Sequence, residues 1–442
     1  MPTLAYQEYL DALPSEWQQV RLGDLGEVHA GSTPRRSESK YWGGDIPWLT
    51  PSEVTGRADK WVGKTDEYIT DEGYDSTSVH LVPEGSLLVT TRATIGEVVI
   101  ADVPITTNQG FKNLVLGSDD EPLFYYYILR FVADEMERLA SGSTFDEISK
   151  SDFVEIIVPR PSLEEQHRIA DVLDTVDAAI QETDRVVEKQ EQVKTGLLQD
   201  LLTRGLDADR RLRDPEREPE AFRETEIGSL PNDWQVVDLE TVTKRITDGS
   251  HQAVETLPEG SDGIPFLYVS CIRNGEIYWD QASRISRDTF ESISKGKEPK
   301  PGVILYTTVG SYGHAALVEE SVNFSFQRHV GYIDPDADKI SPRFLAYWLD
   351  SEHCKRHADK VALGSSQKTV TLRDLARYPV PLPSYEEQVV IAERLDESDS
   401  GIKENEMYRG KLQKLKTGLM QDLLTGRVRV PEVEDRVDEL VA

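Results

Sequence analysis

One segment of this chain occurs twice, and it restricts the fold more than any other feature. Leu163 to Thr203 follows PSLEEQHRIADVLDTVDAAI into KTGLLQDLLT; a second copy opens with PSYEEQVVIAERLDESDSGI at Pro383 and closes with KTGLMQDLLT at Thr425. Nine of the ten closing residues, Lys194–Thr203 against Lys416–Thr425, are identical. The offset is constant, because Pro161 and Pro383, Gln166 and Gln388, and Lys194 and Lys416 are all 222 apart. An internal repeat of this kind has to be recognised before any other assignment is made.

Both copies carry helix signals. Ser162-Leu163-Glu164-Glu165 and Ser384-Tyr385-Glu386-Glu387 read as capping boxes just after a proline. In the first copy an apolar seam runs Ile169, Leu173, Val176, Ile180, Thr183, Val187, Gln190, Lys194, Leu197, Leu201 in alternating steps of four and three, the coiled-coil spacing. The second seam, Ile391, Leu395, Ser398, Ile402, Asn405, Arg409, Leu412, Lys416, Leu419, Leu423, is polar in its middle and is expected to pack well only at its ends. Gly205 and Gly426 supply the stops. A 41-residue helix from Leu163 to Thr203 spans about 60 Å at 1.5 Å rise per residue.

The segments before the helices echo each other less closely. Leu13-Pro14-Ser15-Glu16-Trp17 returns as Leu230-Pro231-Asn232-Asp233-Trp234 at an offset of 217, and Ile46-Pro47-Trp48-Leu49 as Ile264-Pro265-Phe266-Leu267 at 218. Strands are expected at Ser86–Thr90 and Val98–Ile100 around a Gly96 turn, with Gly302–Tyr306 as the counterpart. Asn108-Gln109-Gly110 aligns with the Ser325–Gln327 region, glutamine on glutamine. The offset grows across the globular parts and stays fixed along the helices. The chain therefore reads as two diverged heads on a duplicated ruler. Residues 1–12 read as a loose leader, the charged stretch 206–226 as an exposed linker, and 427–442 as an acidic tail.

The 442 residues carry 80 Asp and Glu against 49 Lys and Arg, a net charge of −31. Taken alone, that opposes nucleic-acid binding, which needs a basic footprint. The acid is dispersed along the chain, a pattern that fits a salt-loving cell. Two cysteines, Cys271 and Cys354, build no disulfide framework, and no run resembles a signal peptide or a membrane span, so a cytoplasmic protein is expected. His353, Cys354 and His357 lack a second Cys/His pair and make a poor zinc site. Gly63-Lys64-Thr65 fails as a phosphate loop because Ala58 stands where a glycine is required. No methyltransferase, cofactor-loop or nuclease motif is visible, which counts against an enzyme.

Several motifs together resemble the specificity subunits of type I restriction-modification systems. They are GSTP at 31–34 leading to YWGGDIPWLTPSEV at 41–54, ITDGSH at 246–251 leading to GIPFLYVSCI at 263–272, the W-x-x-x-x-L openings at Trp17 and Trp234, T-R-x-x-I-G at Thr91–Gly96, P-x-P-x-x-E-E-Q at each helix entry and the G-L-L-Q-D-L-L end. The resemblance implies an α+β protein with two mixed α/β target-recognition domains, each followed by a long helix. The helices would form an antiparallel coiled coil with pseudo-two-fold symmetry. The implied domains are 1–161, helix 162–204, linker 205–229, 230–383, helix 384–426 and the tail. The implied partners are double-stranded DNA with a split target, two methyltransferase subunits and restriction subunits, and no membrane. The chain itself would hold no cofactor; S-adenosylmethionine would belong to the methyltransferase, ATP and Mg to the restriction partner. A coiled-coil scaffold that does not bind DNA is the competing reading, favoured by the charge and opposed by the motifs.

Direct readout requires side chains with paired donors or acceptors. The first head offers Arg35, Arg36, Lys40, Arg92, Thr94, Gln109 and Lys112. The second offers His251, Arg273, Lys295, Lys297, Lys300, Ser311, Tyr312, Gln327 and Arg328. Gly196 and Gly418, at matched places off the seam and each costing about 1 kcal/mol against Ala, are candidate points of close approach for a methyltransferase subunit.

Overall fold

A computed structural model describes residues 6–57, 59–140, 146–294, 299–364, 368–432 and 437. The chain forms two compact units, residues 1–186 with 405–442, and residues 187–404. Each unit holds one sheet-rich head and part of both long helices. Those helices are Leu163–Thr203, 41 residues as expected, and Tyr385–Leu423, 39 residues.

In the first unit a five-stranded sheet runs in the order Gly26–Ala30, Phe111–Leu116, Leu87–Arg92, Thr94–Ala101, Trp61–Val62. A three-stranded sheet pairs Trp42–Leu49 with Glu67–Ile69 and, in parallel, with Thr106–Thr107. Helices Pro122–Phe131 and Ala133–Leu139 cover the larger sheet and bury Phe124, Tyr125, Tyr127 and Ile128 completely. Gln18–Arg21 pairs with Ile157–Arg160 and ties the opening of the head to its exit. The second unit repeats this plan. Its four-stranded sheet runs Thr243–Asp248, Val330–Pro335, Ile304–Thr307, Ala315–Leu317, and its three-stranded sheet Ser283–Ile285, Ile264–Leu267, Ser325–Phe326. Gln235–Asp238 again pairs with the exit strand, Pro379–Leu382.

The helices run antiparallel within each unit. In the first, Asp177 pairs with Lys416 at 2.6 Å and Asp184 with Arg409 at 3.1 Å, so seven residues forward on one helix is seven back on the other. In the second, Lys194 pairs with Asp399. Most of the seam is as expected: Ile169, Leu173, Val176, Val187 and Leu201 are buried, as are Ile391, Leu395, Leu412, Leu419 and Leu423, whereas Ile180 and Leu197 are half-buried and Ile402, in the polar middle of the second seam, is buried. The polar stretch of the second seam also has an explanation. Arg409 and Lys416 lie there as ionic partners of acids on the first helix, their stems covering the seam.

Head and helix meet in the same way in both units. Trp17 Nε1 donates to Glu165 at 3.0 Å, and Trp234 Nε1 to Glu387 at 3.1 Å. Gln166 accepts from the Glu121 amide and donates to the Pro161 carbonyl; Gln388 does the same with Ser341 and Pro383. Tyr127 donates to Asp177 and Tyr347 to Asp399, each at 2.8 Å. Only half of each capping box forms. Ser162 and Ser384 accept the amides of Glu165 and Glu387, but those carboxylates turn to the tryptophans.

Four sequence expectations need correction. The leader is not loose from residue 6 onward: Tyr6–Asp11 is a helix with Tyr9 and Leu10 buried, Tyr9 meeting Phe131 edge-on at 5.3 Å and donating to the Leu424 carbonyl. The segment after Thr203 is not a free linker. Leu206 is buried, its amide bonds to Glu387, and Phe222–Thr225 forms a hairpin with Gly228–Pro231. Gly96 is not a turn. It lies within the strand Thr94–Ala101 at φ +85°, where an added Cβ would sit 2.7 Å from Ala133 Cβ. The turn is at Ala93, held at φ +65°. Finally, the glutamines do not correspond. Asn108 and Gln327 donate to Leu49 and Leu267, and Thr91 and Thr308 donate to the carbonyls of Gly110 and His329, so Gln327 matches Asn108 and Arg328 matches Gln109.

Candidate nucleic-acid interface

In the first head three loops converge. The Gly31 loop packs against the 108–110 turn so closely that a Cβ on Gly31 would lie 1.8 Å from the Asn108 carbonyl oxygen. Only glycine allows that approach. The loop is fixed by Trp48, buried, whose Nε1 donates to the Ser32 carbonyl at 2.9 Å. Thr33 donates to the Gln109 side chain. Arg36 lies over Trp42 at 4.1 Å and Trp48 at 4.7 Å while gripping Glu67 with both terminal nitrogens. Arg35 is exposed beside it.

The second loop is the Ala93 turn, where Arg92 and Thr94 face each other across the strand end. Pro51, Arg92, Ala93, Asn108, Gln109 and Gly110 line a recess of about 180 Å³. Beneath it Lys112 is almost fully buried, bonded to Thr91 at 3.3 Å and paired with Glu147 at 3.4 Å. Burial pushes the Lys112 ammonium below the usual lysine range, against the opposing pull of Glu147. Glu147 also lies 3.8 Å from Arg92. Arg92, Thr94, Gln109 and Lys112 are thus brought together, with Arg35 and Arg36 on the adjoining loop. Lys40 is not part of the group; it pairs with Glu72 on the helix Asp71–Asp75.

The second head builds the same frame with other side chains. Gly249 repeats the close approach, since a Cβ there would lie 2.1 Å from the Phe326 carbonyl oxygen, and Gly310 repeats the left-handed turn at φ +73°. Ser311 and Tyr312 follow that turn, with Tyr312 donating to Asp359 at 2.5 Å. His251, bonded to Asp248 at 2.8 Å, stands near Arg328, which bonds His329. Burial, then the charge of Arg328 and His251, hold the His329 imidazole below its ordinary range. Arg273 borders a hairpin whose turn is Asn274-Gly275, both left-handed. It stacks on Tyr278 at 4.6 Å. Lys300 pairs with Asp334 at 2.7 Å, about 13 Å along its strand from Val330 at 3.3 Å per residue, and so stands apart from the group. Lys295 and Lys297 lie outside the described residues.

Ala93, Asn108 and His329 were not singled out from sequence. Asn108 was hidden by the one-residue misalignment. Ala93 becomes visible only once it is matched to Gly310. Gly196 and Gly418 lie off the seam with nothing within 4 Å of an added Cβ. No cluster of metal-ligating side chains occurs among the described residues: His353 stacks on Trp348, and Cys354 is buried. Among the described residues, no helix is long and apolar enough to cross a membrane.

The profile of the family described as type I restriction modification DNA specificity domain matches residues 14–190 and again 231–416, one match per head with most of its helix. The chain belongs to this specificity family. The type I restriction enzyme MjaVIII specificity subunit of Methanocaldococcus jannaschii is 26% identical over 95% of this chain and 94% of its own length. The MjaIX specificity subunit of the same organism is 32% identical over 60% of each chain. The EcoBI specificity subunit of Escherichia coli is 25% identical over 87% of this chain and 80% of its own. The fold is shared with the solved type I restriction-modification S subunit from M. genitalium, at 15% identity and a TM-score of 0.56, covering 96% of this chain and 98% of that one. Family membership assigns the two heads to DNA sequence specificity within a type I restriction-modification system.

Proposed function

We propose that this chain reads a two-part DNA sequence, one part per head, as the specificity subunit of a complex with two methyltransferase subunits and, for restriction, further motor-nuclease subunits. The observation that carries this reading is the division of what is kept from what has diverged. The joints between head and helix use the same residues twice, while the converging loops keep their backbone and change their side chains. A pair of heads reading different half-sites needs that division.

In this reading the chain carries no catalysis. S-adenosylmethionine serves the methyltransferase partner, which must draw the target base out of the stack to reach it. ATP and Mg serve the restriction partner. Arg92 and Gln109 in the first head, with the buried Lys112 supporting them, and His251, Gln327 and Arg328 in the second, are the candidate readers, with Arg35, Arg36, Arg273, Ser311 and Tyr312 at their borders. Gly196 and Gly418 mark the helix surface offered to the methyltransferase. The protein works in the cytoplasm.

Co-expression with a methyltransferase subunit of the same system, followed by sequencing of modified bases, tests this directly. A two-part methylated motif that disappears without this chain is expected. Methylation of a continuous motif, or methylation or cleavage by the purified chain alone, would overturn the proposal.

A further inference from the structure

An apolar seam by itself does not define how two helices line up, because it repeats every seven residues. Something else must select one register of the long helices. The ion pairs inside the seam have the required form. Asp177 is buried, receives Lys416 at 2.6 Å and Lys60 at 3.0 Å, and accepts the Tyr127 hydroxyl. Asp399 receives Lys194 and the Tyr347 hydroxyl. Asp177 and Asp399 are 222 residues apart, and so are Lys194 and Lys416. Two sequence positions are therefore used twice, the acid of each helix receiving the lysine of the other.

Slipping the helices by seven residues shows what these pairs exclude. In one direction Asp177 would meet Leu423 and Asp399 would meet Leu201, both fully buried positions. In the other, Asp399 would meet Val187 and Lys194 would meet Ala392, again buried and apolar. Each slip breaks both cross-helix pairs and sets charged groups against buried apolar residues, Asp177 then keeping only Lys60 from its own head. A polar group inside a coiled-coil seam selects alignment in this way.

We propose that the Asp177–Lys416 and Lys194–Asp399 pairs pin the helix register, and that these four are positioning residues restricting the spacing of the half-sites the chain accepts. The proposal rests on the two-part target reading. It is tested with the complete complex carrying Lys194→Met and Lys416→Met, presented with DNA in which the mapped half-sites are separated by a graded series of spacers. Spacers one base pair longer or shorter than the natural one should be methylated at least tenfold more than by the unaltered complex, with the half-site sequences unchanged. The Lys→Arg versions should keep the original stringency, which a merely structural role does not require. If the double Met chain does not assemble, Lys194→Met alone carries the test, because Lys194 and Asp399 are each about a quarter exposed. An unchanged spacer window in an active Met variant would overturn the inference and leave the two-part reading intact. An unaltered complex that methylates no two-part target would remove both.

Discussion

The two head–helix joints are copies of one design in different electrostatic surroundings. Asp177 lies among two lysines and a tyrosine; burial pushes its carboxyl up, but Lys416, Lys60 and the Tyr127 hydroxyl outweigh this and hold it below the usual carboxylate range. Asp399 has one lysine, and its tyrosine is shared with Asp396 at 2.6 Å. Close by, Asp350 is half-buried and accepts the Ala315 amide, and desolvation raises it to about 7. The comparison teaches that the contacts were retained while their charge balance drifted. In the first joint Lys60 and Lys416 meet two acids, Asp174 and Asp177; in the second Lys194 and Arg343 face three, Asp350, Asp396 and Asp399.

The largest expected difference follows from that imbalance. Asp177→Ala takes the buried acid from Lys416 and Tyr127, Lys60 keeping Asp174, and should cost up to about 3–5 kcal/mol, as breaking a buried pair does. Asp399→Ala strands one quarter-exposed lysine, leaves Tyr347 bonded to Asp396, and should cost about 1–3 kcal/mol. Urea unfolding of the two variants measures both, and equal losses would erase the distinction.

The pH responses should oppose each other. Asp177, with its pKa depressed in the fold, contributes stability that is present above the unfolded value near 3.9 and is lost as pH falls through the lower folded value. Asp350, with its pKa raised, does the reverse. Between roughly pH 4 and 7 the folded chain binds a proton the unfolded chain lacks, so stability falls as pH rises, by at most about 1.4 kcal/mol per unit. Asp350→Asn should remove that slope in unfolding experiments at pH 5, 6 and 7, and an unchanged slope would contradict its assignment.

A smaller effect sharpens the comparison at the loops. Ala93 and Gly310 hold the same left-handed turn. Gly310→Ala should cost about 1–2 kcal/mol, whereas Ala93→Gly should be neutral or slightly stabilising. Thermal unfolding distinguishes the signs.

What was legible in the sequence follows the physics of each part. The helices, their seam and the paired heads could be read because period and repetition are local signals. The ion pairs could not, since a lysine on a seam looks like a defect until its acid on the other helix is known. The buried Tyr9 helix was obscured by its polar neighbours Gln7 and Glu8, and the ordered segment after Leu206 by its high charge. Of the candidate readers, those flanking the glycine loops converged, because Gly31 and Gly249 fix the backbone there. Lys40 and Lys300 were chosen for charge alone, and each is held by an acid outside the group.

The central claim is that each head reads its own half of the target. Mapping methylated sites in cells expressing the chain with Arg92→Ala and Gln109→Ala tests it most directly. One half of the motif should relax or change while the other half and the spacer persist. Simultaneous loss of specificity in both halves, from a chain that still folds and assembles, would contradict it.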